Sequence, residues 1–173
     1  MRIAVSPLPG LLACEKFAEQ VVGSLWWAAR FPNHNVSDLP RLRPGHGARS
    51  AFFRPIEDGF PEATITLPIR YRTKNVMLHE LGHWALLSQP ELAYHGPTFA
   101  RLLLDSVSEF LGLERAEDLR LALGEERVRV SASARIGEDG YFHYGPDRAP
   151  SKELNTVEAT PSAALNLTST LPK

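Results

Sequence analysis

Two histidines and a glutamate stand together in His79-Glu80-Leu81-Gly82-His83, and a third histidine, His95, follows. His79 and His83 are spaced i, i+4. On a helix that spacing puts both imidazoles on one face, one turn apart. Two imidazoles so placed can reach one zinc ion at about 2.0–2.1 Å. Glu80 then lies beside a water on the metal rather than beside the metal itself. His95 completes a set of three ligands and leaves a fourth position open, which separates a catalytic zinc from a structural one. The chemistry expected is hydrolysis. Glu80 takes a proton from the attacking water as general base and returns it to the leaving group as general acid. The bland alternative is a core helix that merely contains histidines. Burying two histidines and a glutamate without a partner is costly, and a metal is the natural partner.

The third ligand is the softer part of the pattern. A metzincin arrangement needs glycine where the chain has Leu86 and histidine where it has Gln89, so that class is excluded. A carboxylate ligand from a downstream helix would be Glu109. His95 is preferred, because three-histidine catalytic zinc sites are well precedented. Asp105 or Glu109 is a candidate partner for a ligating imidazole. Tyr94, Tyr141, His143 and Tyr144 are candidates for stabilising an oxyanion. His34 and His46 lie in a loop-like stretch and are expected to face solvent rather than a metal.

The elements that must hold these residues are legible from periodicity. Thr73 is a plausible N-cap, and the run Val76–Leu87 is apolar nearly all round, as a buried helix would be. Pro90 stops it. Pro97 suits a helix start, Phe99, Leu102, Leu103, Val107, Phe110 and Leu111 form an apolar face, and Gly112 is a stop. His95 therefore sits just ahead of a well-anchored helix. Upstream, residues 11–30 read as one helix, with Phe17, Val21 and Leu25 on one stripe. Trp26 and Trp27 point to different sides, so at least one packs on the core. Residues 32–47, rich in Pro and Gly, read as a loop.

Residues 48–54 and 62–67 read as an antiparallel strand pair, turning at Glu57-Asp58-Gly59. An edge strand there could bind an extended peptide by strand addition. A short helix is expected over 115–123, a strand over 127–136, and a turn at Asp139-Gly140 into 141–144. The fold class expected is α+β and zincin-like, a small antiparallel sheet beside the motif helix and its flanking helices. The domain spans 1–145, and 146–173 reads as a disordered tail, being rich in Ser, Thr, Ala and Pro.

Composition narrows the classes. The chain has 173 residues, 43% hydrophobic and 23% charged, with a net charge of −1, as an ordinary globular domain does. No apolar run is long enough for a membrane span. The single cysteine, Cys14, excludes an intramolecular disulfide and reads as a buried small hydrophobe. Leu11-Leu12-Ala13-Cys14 resembles a lipoprotein cleavage box, but Pro7, Pro9 and Gly10 break the segment ahead of it. The expected setting is cytoplasmic and reducing. Arg41, Arg43, Arg49, Arg54, Arg70, Arg72 and Lys74 give the stretch before the motif a basic excess, read first as a solvated face and second as a phosphate-binding surface.

The motif together with Tyr94-His95-Gly96-Pro97-Thr98-Phe99 resembles the SprT-like metallopeptidases, which carry H-E-x-x-H and a later H-G-x-x-F. It is closer still to a small metallohydrolase group of actinobacterial and phage type, with LHELxH followed by HGPxF. The resemblance covers about residues 62–112. It implies that His79, His83 and His95 are the metal ligands and Glu80 the catalytic acid/base. It implies a protein or peptide substrate, with a non-peptide amide or ester as the alternative. Some SprT-like proteins act on protein crosslinked to DNA, and several carry a cysteine zinc ribbon. With Cys14 as its one cysteine this chain has no ribbon, which leaves a nucleic-acid partner weakly supported.

Overall fold

The computed structural model describes residues 6–87, 95–132, 135–136 and 142–143. Among these, five helices and two small sheets form a mixed α and β architecture. The helices are α1 (Leu11–Val22), α2 (Leu25–Arg30), α3 (Lys74–Ala85), α4 (Pro97–Leu111) and α5 (Leu113–Glu125). The strands are β1 (Arg41–Pro44), β2 (Phe52–Arg54), β3 (Thr64–Leu67), β4 (Arg135–Ile136) and β5 (Phe142–His143).

The central sheet runs β1-β3-β2. β2 is antiparallel to β3, with Phe53 opposite Ile65, as expected. The turn between them is closed by Glu57 and Phe60, each donating its N–H to the other's carbonyl, with Gly59 at φ +83°. The sheet is not purely antiparallel, however. β1 lies parallel to β3 and comes from the stretch expected to be a loop. Pro40 and Pro44 suggested a loop there, but a proline is tolerated on an edge strand whose outer side needs no donor. The inner side is paired: Arg41 N–H donates to Ala63 O, and Gly45 N–H to Leu67 O. Ile65 and Leu67, two apart on β3, are both fully buried.

The expected single helix over 11–30 is two. Gly23 ends α1, donating its N–H to Glu19 O, which a Cβ at that position would approach to 2.9 Å. Ser24 starts α2 by accepting the Trp27 N–H at 3.1 Å and also donates to Val21 O. Trp27 is buried and stacks on Trp84 at 5.9 Å, while Trp26 meets Phe110 edge-on at 5.5 Å. Cys14 is fully buried in α1, in the core place expected of it, and burial pushes its thiol pKa up.

Of the strand expected over 127–136, the described residues show Arg135–Ile136 in a strand, paired with Phe142–His143. Residues 127–132 form no strand, and at Ser131 another element takes the groups a ladder would use. Ser131 donates its N–H to Pro97 O and accepts from Arg101 Nε, which straps this segment to the start of α4. The helix expected over 115–123 is longer, spanning all of α5. The expected tail over 146–173 lies outside the described residues. No helix among the described residues is long and apolar enough to cross a membrane.

Candidate metal centre

α3 is a core helix carrying three polar side chains of chemical interest. Thr73 caps it, its Oγ1 accepting the Val76 N–H at 3.2 Å. Such a cap stabilises a helix by about 0.5–2 kcal/mol relative to alanine. The chain before α1 fixes the same end: Lys74 N–H donates to Ser6 O, and Leu8 N–H to Arg72 O. The other end is held by Trp84, packed between Trp27 and the ring of His34. Met77, Leu78, Leu81 and Ala85 are buried, as are Glu80 and His83. Such all-round burial matches the apolar pattern of the sequence.

α4 supplies the opposing wall. Pro97 occupies its first turn and His95 lies just ahead of it, so the loop histidine is tied to the start of a buried helix. Gly112 ends α4 at φ +94°, a conformation that favours glycine.

These elements bring His79, His83 and His95 together. One ring nitrogen from each lies within 4.8 Å of the others. Among the described residues no other group of three or more such side chains converges in this way. The Nε2 atoms of His83 and His95 are 3.1 Å apart, one ring donating and the other accepting according to tautomer. Nitrogens arranged tetrahedrally around zinc sit about 3.3–3.4 Å apart, given bonds of about 2.0–2.1 Å. The three imidazoles therefore fit a metal ion after small side-chain movements. Glu80 Oε1 lies 3.2 Å from His79 Nδ1, while its Oε2 is buried without a hydrogen-bond partner.

Phe99 is the feature that sequence reasoning placed only on an apolar helix face. Its ring stacks on His83 at 4.3 Å and meets His79 and His95 edge-on at 5.1 and 5.2 Å. It is a common floor for all three imidazoles. Gly82 permits this approach: a Cβ there would lie 3.3 Å from Phe99 Cε2. The glycine of the motif and the phenylalanine after His95 thus meet across the α3–α4 contact. Their pairing was hidden in the sequence because neither residue type signals a contact by itself.

The remaining candidates separate cleanly. Glu109 is exposed and outside the histidine group, so His95 and not Glu109 joins His79 and His83. Asp105 is bonded to Arg101 at 3.2 Å rather than to an imidazole. His34 is not solvent-facing: burial lowers its pKa, its carbonyl accepts the Trp27 indole N–H, and its ring packs on Trp84. His46 is exposed, beside Arg70 and Arg72. His143 is exposed on β5, and Tyr94, Tyr141 and Tyr144 lie outside the described residues.

Electrostatics favour neutral imidazoles. His83 is pushed down to about 3, first by burial and then by charge on His79 and His95. His95 is also lowered, by burial first and His79 second, against a raising influence from Glu80. A neutral ring keeps a lone pair for a metal at ordinary pH. The stability consequence has a definite sign. As pH falls below 6.5 the unfolded chain protonates at His83, and the folded chain does not until about 3. The unfolded state binds more protons there, so folding stability falls as pH falls. In metal-free protein, denaturant midpoints are expected to drop from pH 6.5 to about 5, before carboxylates titrate. His83→Asn should flatten that slope. An equally steep slope in the variant would refute the assignment.

Comparison with protein families, with curated proteins and with solved structures finds no match for this chain.

Proposed function

We propose that this chain is a zinc-dependent peptidase, with His79, His83 and His95 as ligands and Glu80 as general acid/base. The observation that carries the reading is the convergence of three imidazoles from α3 and the loop before α4, with the Glu80 carboxylate buried beside them. The resemblance of the motif and of His95-Gly96-Pro97-Thr98-Phe99 to SprT-like metallopeptidases supports the same reading. Zinc held there would supply Lewis acidity toward water and a scissile carbonyl, and neutral imidazoles suit zinc while also accepting other first-row ions.

The residues of the chain do the rest. Glu80 has one oxygen against His79 Nδ1 and one without a partner, so it can accept a proton at Oε2 without leaving its place. It later delivers that proton to the leaving amine. Phe99 stacks on His83 and packs edge-on against His79 and His95, which holds the three rings in place. The edge of β2 opposite its pairing with β3, which no strand among the described residues covers, offers main-chain groups to an extended peptide. A DNA-associated role has less behind it. Arg41 and Arg43 both engage Glu62, and Arg70 donates to Arg49 O.

Digestion of a peptide mixture by zinc-reconstituted full-length protein tests the peptidase reading. New termini should appear, vanish with a chelator and return on adding zinc. Hydrolysis of simple esters or amides with every peptide left intact would replace it with the non-peptide alternative.

A further inference from the structure

A cavity of about 320 Å³ opens against His79 and Glu80. Ala51 lines it from just before β2, Leu103 and Val107 from α4, and Leu119 from α5. Among the described residues no Lys or Arg lines it, and its one carboxylate is Glu80. Resting on the peptidase reading, we propose that this cavity receives a bulky apolar side chain of the substrate residue next to the scissile bond.

Position, size and chemistry agree on that occupant. The reacting groups themselves form one wall, so whatever fills the cavity is attached close to the bond being broken. The space is many times the roughly 10–15 Å³ that a single water needs. A methyl group leaves most of it empty, whereas a phenyl, an indole or a branched aliphatic chain occupies far more of it. An acidic side chain would face Glu80 at close range, and a basic one would lose its hydration against aliphatic walls. One polar side chain on the walls is suited to the main chain of such a residue. Tyr71 already spends its hydroxyl on Arg49 O at 2.9 Å. Asn75, one turn ahead of His79, has a buried Oδ1 without a partner. Turning the amide about its soft terminal torsion would let it accept an N–H from a bound chain.

Two substitutions fill the cavity from different elements while leaving the metal ligands and Glu80 unsubstituted: Ala51→Trp and Leu119→Trp. Cleavage sites in the digested mixture should cluster beside Phe, Leu, Met, Tyr or Trp. A Phe peptide should exceed its Ala counterpart in kcat/KM by roughly tenfold to a hundredfold. Both variants should collapse that preference, bringing the Phe-to-Ala ratio of kcat/KM close to one. Cleavage without apolar preference, or a preference unchanged in both variants, overturns the assignment and leaves the peptidase reading intact. If no peptide is cleaved, N-acetyl-phenylalaninamide serves as the probe, followed by amide NMR shifts at Ala51, Leu103 and Leu119. Saturable shifts that disappear in both variants uphold the cavity while the peptidase reading falls. No shifts at these amides overturn the cavity.

Discussion

Glu80→Gln is expected to keep its metal and lose hydrolysis, by about 10²–10⁴-fold or more in kcat. The substitution preserves size and hydrogen-bonding reach. The amide can still contact His79 Nδ1, which lies 3.2 Å from Glu80 Oε1. What it cannot do is accept a proton. Glu80 is buried at 3% exposure, so bulk solvent cannot take over as the base beside the imidazoles. Because Glu80 is not among the three clustered imidazoles, metal stoichiometry should be unchanged. The comparison needs two readouts on the same preparation, turnover and bound metal. Turnover at the wild-type rate would remove Glu80 from the chemistry. Loss of metal along with turnover would instead make Glu80 a prop for the imidazoles.

Phe99→Ala carries the largest expected effect on stability, about 3–5 kcal/mol. The ring is 5% exposed and touches every imidazole of the site, and α3 approaches it at Gly82, which lacks a Cβ. Removing it leaves a void between α3 and α4 that the backbones cannot close without moving the histidines. Zinc affinity should therefore fall as well, on the order of tenfold, as it does when groups that orient ligands are lost. Phe99→Leu, which keeps most of the volume, should recover most of the stability and less of the affinity. Denaturant titration of metal-free protein and a competitive zinc titration separate the two effects. A loss below about 1 kcal/mol would show that the ring is not a structural floor.

The site was far more legible in the sequence than the sheet was. The i, i+4 histidines and Glu80 share a helix, and helical spacing is a local property that sequence preserves. His95 was legible for a related reason, since Gly96 and Pro97 announce the helix that anchors it. β1 was not, because an edge strand can carry proline and its partner lies more than twenty positions away at Thr64–Leu67. The break in the first helix turned on Gly23 and Ser24, whose capping bonds interrupt an otherwise continuous apolar stripe. The segment 127–132 alternated like a strand, yet Pro97 O and Arg101 took the groups of Ser131 that a ladder would have used. Phe99 beneath the imidazoles and the cavity beside Glu80 are products of α3, α4 and α5 packing together. Neither leaves a pattern within any single element.

Metal content of the purified full-length chain, measured by mass spectrometry beside His95→Ala, bears most directly on the three-histidine centre. About one zinc per wild-type chain is expected, with most of it lost from the variant. Full retention in His95→Ala would contradict the assignment of His95, and a wild-type chain that takes up no zinc on reconstitution would contradict the centre itself.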